Sequence, residues 1–186
     1  VGTERDVIAV NELVARAAQV NRACGGSGLR LSFFFLQMSL GGDAGDAKAD
    51  DLPPGLAGVV KALAENGFRN PQLIAPLMVH AGTWGEQFDV SGACSPSREV
   101  RVRGRVQPGE SAGHIVLQVS AELEDRLPGP MTQSGSMGER VTSPFKLQTM
   151  LTAKLGDYVV LAASPDRSAG GSSAIVLVVH AASVSQ

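Results

Sequence analysis

Closely spaced arginines form the most conspicuous charge pattern in the chain: Arg98, Arg101, Arg103 and Arg105. The last three share one face of a predicted strand, whose other face carries valines. Because a row of guanidinium groups can clamp an anionic ligand or a partner protein, Arg101, Arg103 and Arg105 are the candidate binding face. The sequence favours the alternative, a polar outer face with cross-strand pairs, because the neighbouring strand also offers polar residues. These residues are His114, Gln118, Ser120 and Glu122.

Other residue types that do chemistry occur without a recognisable motif. The three histidines, His80, His114 and His180, show neither HxH nor HExxH spacing, so isolated structural roles are favoured over a zinc site. The sequence has no GxSxG elbow of a serine hydrolase and no phosphate-binding loop ending in GK[ST]. It therefore predicts no metal and no cofactor. It favours a protein that is not an enzyme, with an unrecognised hydrolase as an open alternative.

The two cysteines, Cys24 and Cys94, lie in predicted loops that flank ordered elements. In an oxidising compartment they could form a disulfide, which would close a loop of about 70 residues and stabilise the fold by roughly 4 kcal/mol. Two free thiols are the open alternative, because only the even count and the loop placement support pairing. A metal site is disfavoured, since there is no CxxC and no histidine near either cysteine.

Hydrophobic periodicity places these residues on a strand-rich scaffold. Apolar residues at three- and four-residue spacing predict helices over residues 7–20 and 53–66. Period-two or continuous apolar runs predict strands over residues 29–40, 72–80, 85–93, 99–107, 114–124, 145–155, 158–163 and 174–180. Prolines and glycines predict a long mobile loop over residues 127–142. The predicted fold class is α+β, a mainly antiparallel β-sheet or sandwich of about seven to eight strands with two packed helices.

The predicted elements suggest two parts of the chain. Residues 1–26 form an N-terminal helix that could be a connector or an interaction segment, and residues 27–186 form a β-rich domain with one covering helix at about 53–66. Within the strand over residues 29–40, Phe33, Phe34 and Phe35 are most simply core, with an exposed interaction strip as the alternative. The acidic stretch over residues 41–51 lacks the spacing of a calcium loop and is predicted to be solvated.

The last strands carry the clearest sequence signal. Residues 145–155 alternate apolar and polar side chains, whereas residues 158–163 and 174–180 are apolar on both faces. The segment TMLTAKLGDYVVLAA over residues 149–163, followed by a Gly-rich loop and AIVLVV over residues 174–179, resembles the closing β-module of bacterial secretins. This resemblance covers residues 145–181. It implies an envelope-associated bacterial β-module that works by assembling with itself or with other proteins.

Composition limits the class of partner and the location. The net charge of -2 gives no general electrostatic reason to bind nucleic acid. The sequence has no run of ~20 apolar residues that could span a membrane as a helix. It begins at Val1 without an initiator methionine, so we expect that an upstream leader, anchor or domain was removed or was not included. Low charge content and Gly/Ser-rich loops fit an exported protein, and the predicted location is extracytoplasmic, either periplasmic or envelope-associated.

These features favour a non-enzymatic structural subunit of the envelope that acts through protein–protein assembly. The alternative is a small-ligand or carbohydrate-binding module, or an unrecognised hydrolase, that uses the arginine-lined strand face and the segment over residues 127–142. The first hypothesis predicts an oligomer. The second predicts a concave pocket that contains Arg101 or Arg103.

Overall fold

The computed structural model describes residues 28–41, 52–81, 85–131, 137–166 and 172–184. These residues form eight β-strands and one α-helix, which follows a single 3-10 turn at Pro54–Leu56. In chain order the elements are β1 Leu29–Leu40, α1 Ala57–Glu65, β2 Phe68–Ala81, β3 Gln87–Ser95, β4 Arg98–Pro108, β5 His114–Met131, β6 Met137–Lys154, β7 Tyr158–Pro165 and β8 Ser173–Ser183.

The strands form two four-stranded sheets in which all neighbouring strands are antiparallel. Sheet A has the order β2-β1-β8-β7, and sheet B has the order β3-β4-β5-β6. In sheet A the register places Phe33 of β1 opposite Leu77 of β2 and Val179 of β8. Sheet B is a meander of sequential hairpins, whereas sheet A joins the first strand to the last one. The prediction of a mainly antiparallel sandwich of seven to eight strands is therefore confirmed.

The main core lies between the two sheets and is built around aromatic rings. Phe33 of β1 and Phe88 of β3 have ring centroids 5.7 Å apart. Phe35 of β1 meets Phe145 of β6 edge-on, at a centroid distance of 5.9 Å. All four rings are buried, because alternate residues of each strand point into the space between the sheets. The assignment of Phe33 and Phe35 to the core is confirmed.

A second core lies on the opposite face of sheet A, beneath α1. Phe34 and Leu36 of β1 and Val178 of β8 pack there against Leu56 and Leu63 from the helical segment. β1 and β8, the two central strands of sheet A, are therefore buried on both faces, which explains their continuous apolar sequences. The resulting order of layers is helix, sheet A and sheet B.

The helix content differs from the prediction of two packed helices. The described residues contain one α-helix, α1, which confirms the helix predicted over residues 53–66 in a shorter form. It ends at Glu65 and is followed, after Asn66, by Gly67, whose φ of 86° is a left-handed conformation that glycine adopts without strain. The helix predicted over residues 7–20, and with it the proposed part over residues 1–26, lies outside the described residues.

The prediction of a mobile loop over residues 127–142 is wrong for residues 127–131 and 137–142, whereas residues 132–136 lie outside the described residues. β5 extends to Met131 and β6 begins at Met137, and these parts form a two-stranded ribbon in which Arg126 pairs with Val141 and Leu127 pairs with Arg140. β4 begins opposite Asp125, so this part of β5 has a partner strand on one side only. Proline is tolerated in such an edge, because its missing N–H can face the side without a partner. The prolines therefore do not break the strand.

Candidate functional site

The predicted arginine face exists as a continuous surface on the outside of sheet B. Arg101, Arg103 and Arg105 are exposed on β4, and Val100 and Val102 are buried on its inner face. The register aligns the three arginines with Glu122, Ser120 and Gln118 of β5, respectively. The three candidate residues are thus brought together as the alternation of the strand predicted.

The charges of this surface are paired mainly through β3 and not through β5. Arg101 binds the carboxylate of Asp89 in a bidentate manner, with Nε 2.9 Å from Oδ1 and Nη2 2.6 Å from Oδ2. Arg103 Nε lies 3.2 Å from the same Oδ2. These contacts, the hydrogen bond from Arg101 first, lower the pKa of Asp89, and Asp89 in turn raises the pKa of Arg101. Cross-strand pairing was predicted, but its partner was expected on the wrong neighbouring strand.

Next to this ion pair the outer surface of sheet B forms a shallow depression of about 540 Å³. Its polar lining comprises Gln87, Asp89, Arg103, Arg105, Gln118, Ser120 and Gln148. Arg105 Nε donates a hydrogen bond of 2.9 Å to the backbone oxygen of Gly85, which is a neutral acceptor. This depression is a concave surface with donors, acceptors and guanidinium groups, so it can bind a polar anionic ligand.

Arg98 is separated from the other arginines and belongs to a half-buried cluster at one end of the sandwich. Its Nε and Nη2 lie 2.6 Å and 3.0 Å from the two carboxylate oxygens of Asp125. This hydrogen bonding, opposed by burial and supported by the nearby Asp166 carboxylate, raises the pKa of Arg98. Asp166 is fully buried and accepts a hydrogen bond of 3.2 Å from Gln37 Nε2.

The cluster connects the two sheets beside a second cavity of about 510 Å³. Gln37 comes from β1 of sheet A, and Arg98 and Asp125 come from β4 and β5 of sheet B. Sequence reasoning missed this arrangement, because its members are far apart in the chain and share no spacing. The Arg98–Asp125 pair lies within sheet B and the Gln37–Asp166 hydrogen bond lies on the side of sheet A, so the attraction between the charges of Arg98 and Asp166 is what links the two sheets here.

Cys94 of β3 lines the same cavity and is half-buried. Burial raises the pKa of its thiol, and the charge of Arg98 opposes this shift only in part. A thiol with a raised pKa is a poor nucleophile, because the thiolate is the reactive form. Cys24 lies outside the described residues, so the Cys24–Cys94 disulfide stays a prediction.

The histidines do not form a common site. His180 of β8 stacks on Tyr158 of β7 with ring centroids 4.2 Å apart, whereas His80 is exposed on β2 and His114 begins β5. Burial is the largest of the influences that lower the pKa of His180, and the charge of Arg30 adds to it. Within the described ranges, no group of three or more His, Cys, Asp or Glu residues is arranged to hold a metal ion.

The two margins of the sandwich differ in how well their edge strands are covered. At one margin β2 and β3 lie together, and Leu77 Cδ2 of β2 is 2.8 Å from where a Cβ on Gly92 of β3 would stand. At the other margin, β6 pairs with β5 from Phe145 to Lys154 without a register shift. Among the described residues no strand pairs with the outer side of β6. We call this side the β6 edge.

The edge strands of sheet A carry features that discourage further pairing. β2 contains Pro71 and Pro76, which cannot donate backbone hydrogen bonds. β7 is short and has a register shift between Val160 and Ala162. In β6, which is 18 residues long, Pro144 and the neighbouring register shift precede the regular stretch from Phe145 to Lys154, and Met150 within that stretch is 71% exposed. β6 is therefore the edge best suited to pair with another chain.

No protein-family model and no curated protein matches the chain. It is similar to a chain of the Klebsiella pneumoniae type II secretion system outer membrane complex, described as PulD, PulS and PulC HR domain, at a TM-score of 0.48 and 9% identity. That match covers 86% of this chain and 41% of the other. It is also similar to the T2SS secretin XcpQ from Pseudomonas aeruginosa, at a TM-score of 0.40 and 10% identity, covering 99% and 64% of the two chains.

The chain thus spans less than half the length of the first of these structures. The second is described as a secretin, the family that residues 145–181 resemble in sequence. Similarity at these TM-scores does not place the chain in the family. Within the part of the chain that the structure describes, no helix is long and apolar enough to cross a membrane.

Proposed function

We propose that this chain is a non-enzymatic structural subunit of the bacterial envelope that acts outside the cytoplasm through protein–protein assembly. The observation that carries the proposal is the β6 edge, which is regular from Phe145 to Lys154 and whose outer side has no partner strand among the described residues. Backbone N–H and C=O groups on such an edge can pair with a strand of another chain. The partner is a second copy of this chain or another envelope protein.

The side chains around the β6 edge support pairing along this margin. Met150 is exposed on the outer face of β6, and Val141 is exposed to 53% in the ribbon that continues the same strand. Lys146 and Lys154 flank the regular stretch, and Lys146 lies 3.5 Å from Glu122 on β5. The residues between them carry no charge and include no proline, so an added strand would meet no backbone obstacle there.

The difference between the margins also limits the geometry of assembly. At the opposite margin β2 and β3 contact each other without pairing. Pairing at β6 alone would join two copies through the same edge. Such an isologous contact produces a closed dimer, whereas pairing of β6 with a different strand produces a ring or a filament. The resemblance of residues 145–181 to secretins supports an envelope location and assembly in this proposal.

The mass of the native particle tests this proposal. Light scattering on the full chain, under non-reducing conditions and over a range of concentrations, should give a mass well above the 19.2 kDa of one copy. Pull-down from an envelope extract tests for assembly with a different envelope protein. A strict monomer that also captures no envelope protein would contradict the proposal.

The position of the contact can be tested with matched edge variants. Met150→Lys places a charge beside the β6 edge. Ser91→Lys places the same charge on β3, at the opposite margin of sheet B. We expect Met150→Lys to lower the assembled fraction and Ser91→Lys to leave it unchanged. Amide hydrogen exchange gives an independent readout, since residues 145–154 should exchange more slowly as the concentration rises. Equal effects of both variants, with no change in exchange, would exclude the β6 edge.

A further inference from the structure

The outer face of sheet B has a positive local charge in a chain whose net charge is -2. Its basic side chains outnumber the acidic ones. The basic residues are Arg101, Arg103, Arg105, Lys146 and Lys154, and the acidic residues on the same face are Asp89, Glu99, Glu122 and Glu124, of which Asp89 alone lies in the rows of Arg103 and Arg105. This excess is concentrated on a surface that is open to solvent, so it attracts anions.

The three arginines are not equally available to a ligand. Arg101 uses Nε and Nη2 to hold Asp89, and its charge is compensated by that carboxylate. Arg103 shares the same carboxylate through a single contact of 3.2 Å. Arg105 donates to the carbonyl oxygen of Gly85, which leaves its charge uncompensated by that contact. The positive potential therefore lies toward Arg103 and Arg105, which both line the depression of about 540 Å³.

The rest of the depression consists of groups that both donate and accept hydrogen bonds. Gln118 and Ser120 of β5 and Gln148 of β6 lie beside the two arginines, because β4, β5 and β6 are adjacent in register. Amides and hydroxyls of this kind match the vicinal hydroxyl groups of sugars. Guanidinium groups match a carboxylate in a planar, bidentate manner.

We propose that this depression is a binding site for an acidic saccharide. The carboxylate of a uronic-acid unit is held between Arg103 and Arg105, and hydroxyl groups of the sugar are bound by Gln118, Ser120 and Gln148. Arg101 is a positioning residue that keeps Asp89 in place and away from Arg105. This assignment separates the predicted arginine face into two ligand-binding residues and one supporting residue.

The composition of the surface favours a saccharide over an acidic protein. The centres of protein interfaces are depleted in charged residues and rich in aromatic and other large apolar anchors. The lining of the depression shows the opposite composition, since its exposed side chains are arginines, glutamines, a serine and an aspartate. Among the large apolar side chains exposed on sheet B, Leu127 and Val141 lie on the ribbon beyond β4, and Met150 lies opposite Gln118, beside the depression. An exposed side chain such as Met150 does not provide the buried apolar centre that is typical of a protein interface.

Binding of a defined oligogalacturonate to the full chain, measured by calorimetry at physiological salt, tests the proposal. The unmodified chain should bind it and should not bind the corresponding neutral oligosaccharide. Arg105→Ala should weaken binding by about tenfold or more, because a charge-assisted hydrogen bond to a carboxylate is lost. Asp89→Asn should strengthen binding, because it releases Arg103 from its competing carboxylate.

Arg126→Ala is the matched control, because Arg126 is similarly exposed on sheet B but pairs with Glu99, outside the depression. It should change affinity by less than about twofold, since screening weakens charges at this distance. Gln148→Ala should weaken saccharide binding without a change in charge. No binding by the unmodified chain, equal losses in Arg105→Ala and Arg126→Ala, or equal affinity for a poly-glutamate peptide would each overturn the proposal.

This site does not depend on the β6 edge. Arg105→Ala should leave the native particle mass unchanged. Met150→Lys adds a positive charge opposite Gln118, so it should lower assembly without weakening saccharide binding. Loss of saccharide binding without loss of assembly, or the reverse, therefore distinguishes failure of one proposal from failure of the other.

Discussion

Sheet A and sheet B have the same number of strands and the same antiparallel pairing, but their outer faces differ completely. The outer face of sheet A is buried under α1 over Phe34, Leu36 and Val178. The outer face of sheet B is open to solvent and carries the arginine row and the neighbouring depression. The two sheets therefore contribute differently. Sheet A is buried on both faces and stabilises the fold, whereas the outer face of sheet B is exposed to solvent.

The largest expected effect comes from removing an aromatic ring on the covered face. Phe34 is 8% exposed and its ring centroid lies 6.1 Å from that of Tyr158. Phe34→Ala should lower the free energy of unfolding by about 3 to 5 kcal/mol, because it removes buried apolar area and leaves a cavity. Urea unfolding followed by circular dichroism measures this change.

Met150→Ala is the matched control on the open face of sheet B. The free energy of unfolding should change by less than about 0.5 kcal/mol, because Met150 is largely in water already. Similar losses for both variants would mean that the outer face of sheet B is also covered in solution, which would remove the basis of the comparison.

The next largest effect on stability is expected from replacing a glycine in sheet B, and it should be opposite in sign to the effect of replacing a glycine in α1. A Cβ on Gly104 of β4 would clash with the backbone oxygen of Gln118 and with the ring of Phe88. Gly104→Ala should therefore destabilise the fold by about 2 to 3 kcal/mol. In α1, a Cβ on Gly58 would meet no atom within 4 Å, so Gly58→Ala should stabilise the fold by up to about 1 kcal/mol. Thermal unfolding of both variants tests this opposition in sign.

The sequence predicted the strands and the inward-facing residues well, because both follow from a period of two along each strand. The continuous apolar runs of β1 and β8 also predicted burial on both faces. The order of sheet A was not predictable, because it joins strands from opposite ends of the chain. The ribbon of β5 and β6 was missed for a different reason: Pro128 and Pro130 usually break strands, but they are tolerated in an edge.

Prediction of the candidate site succeeded for single strands and failed between them. Alternation along β4 correctly placed Arg101, Arg103 and Arg105 on one face. It could not show that Asp89 of β3 holds two of them, because β4 has a neighbour on each side and both offer polar residues. Arg98 was grouped with the row by proximity in sequence, yet its side chain pairs with Asp125 at the end of the sandwich.

A smaller effect is expected from the charge cluster that connects the sheets. Arg98→Ala would leave Asp125 without the guanidinium that holds both of its carboxylate oxygens, at a side-chain exposure of 10% for Asp125. We expect a loss of about 2 kcal/mol, below the 3 to 5 kcal/mol of a fully buried pair, because Arg98 remains partly in contact with water. Arg101→Ala is the matched control on the open face and should remain close to the unmodified chain in urea unfolding. Equal stability of both variants would contradict a connecting role for Arg98.

The smallest expected effect is a pH dependence that arises on sheet A alone. Burial of His180 against Tyr158 lowers its pKa below the ordinary value of 6.5, with Arg30 adding to the shift and Gly156 and Asp157 opposing it. The unfolded chain therefore takes up the proton first, so stability should fall as the pH falls below about 6.5 toward the lower pKa of the folded state. Urea unfolding midpoints between about pH 8 and pH 5 measure this slope.

His180→Phe keeps an aromatic ring against Tyr158 and removes the titrating group, so its midpoint should lose this part of the slope. His114→Gln, on sheet B, should retain it. If the slope were unchanged in His180→Phe and absent in His114→Gln, the pH dependence would belong to the open sheet, and the contrast between the two sheets would be reversed.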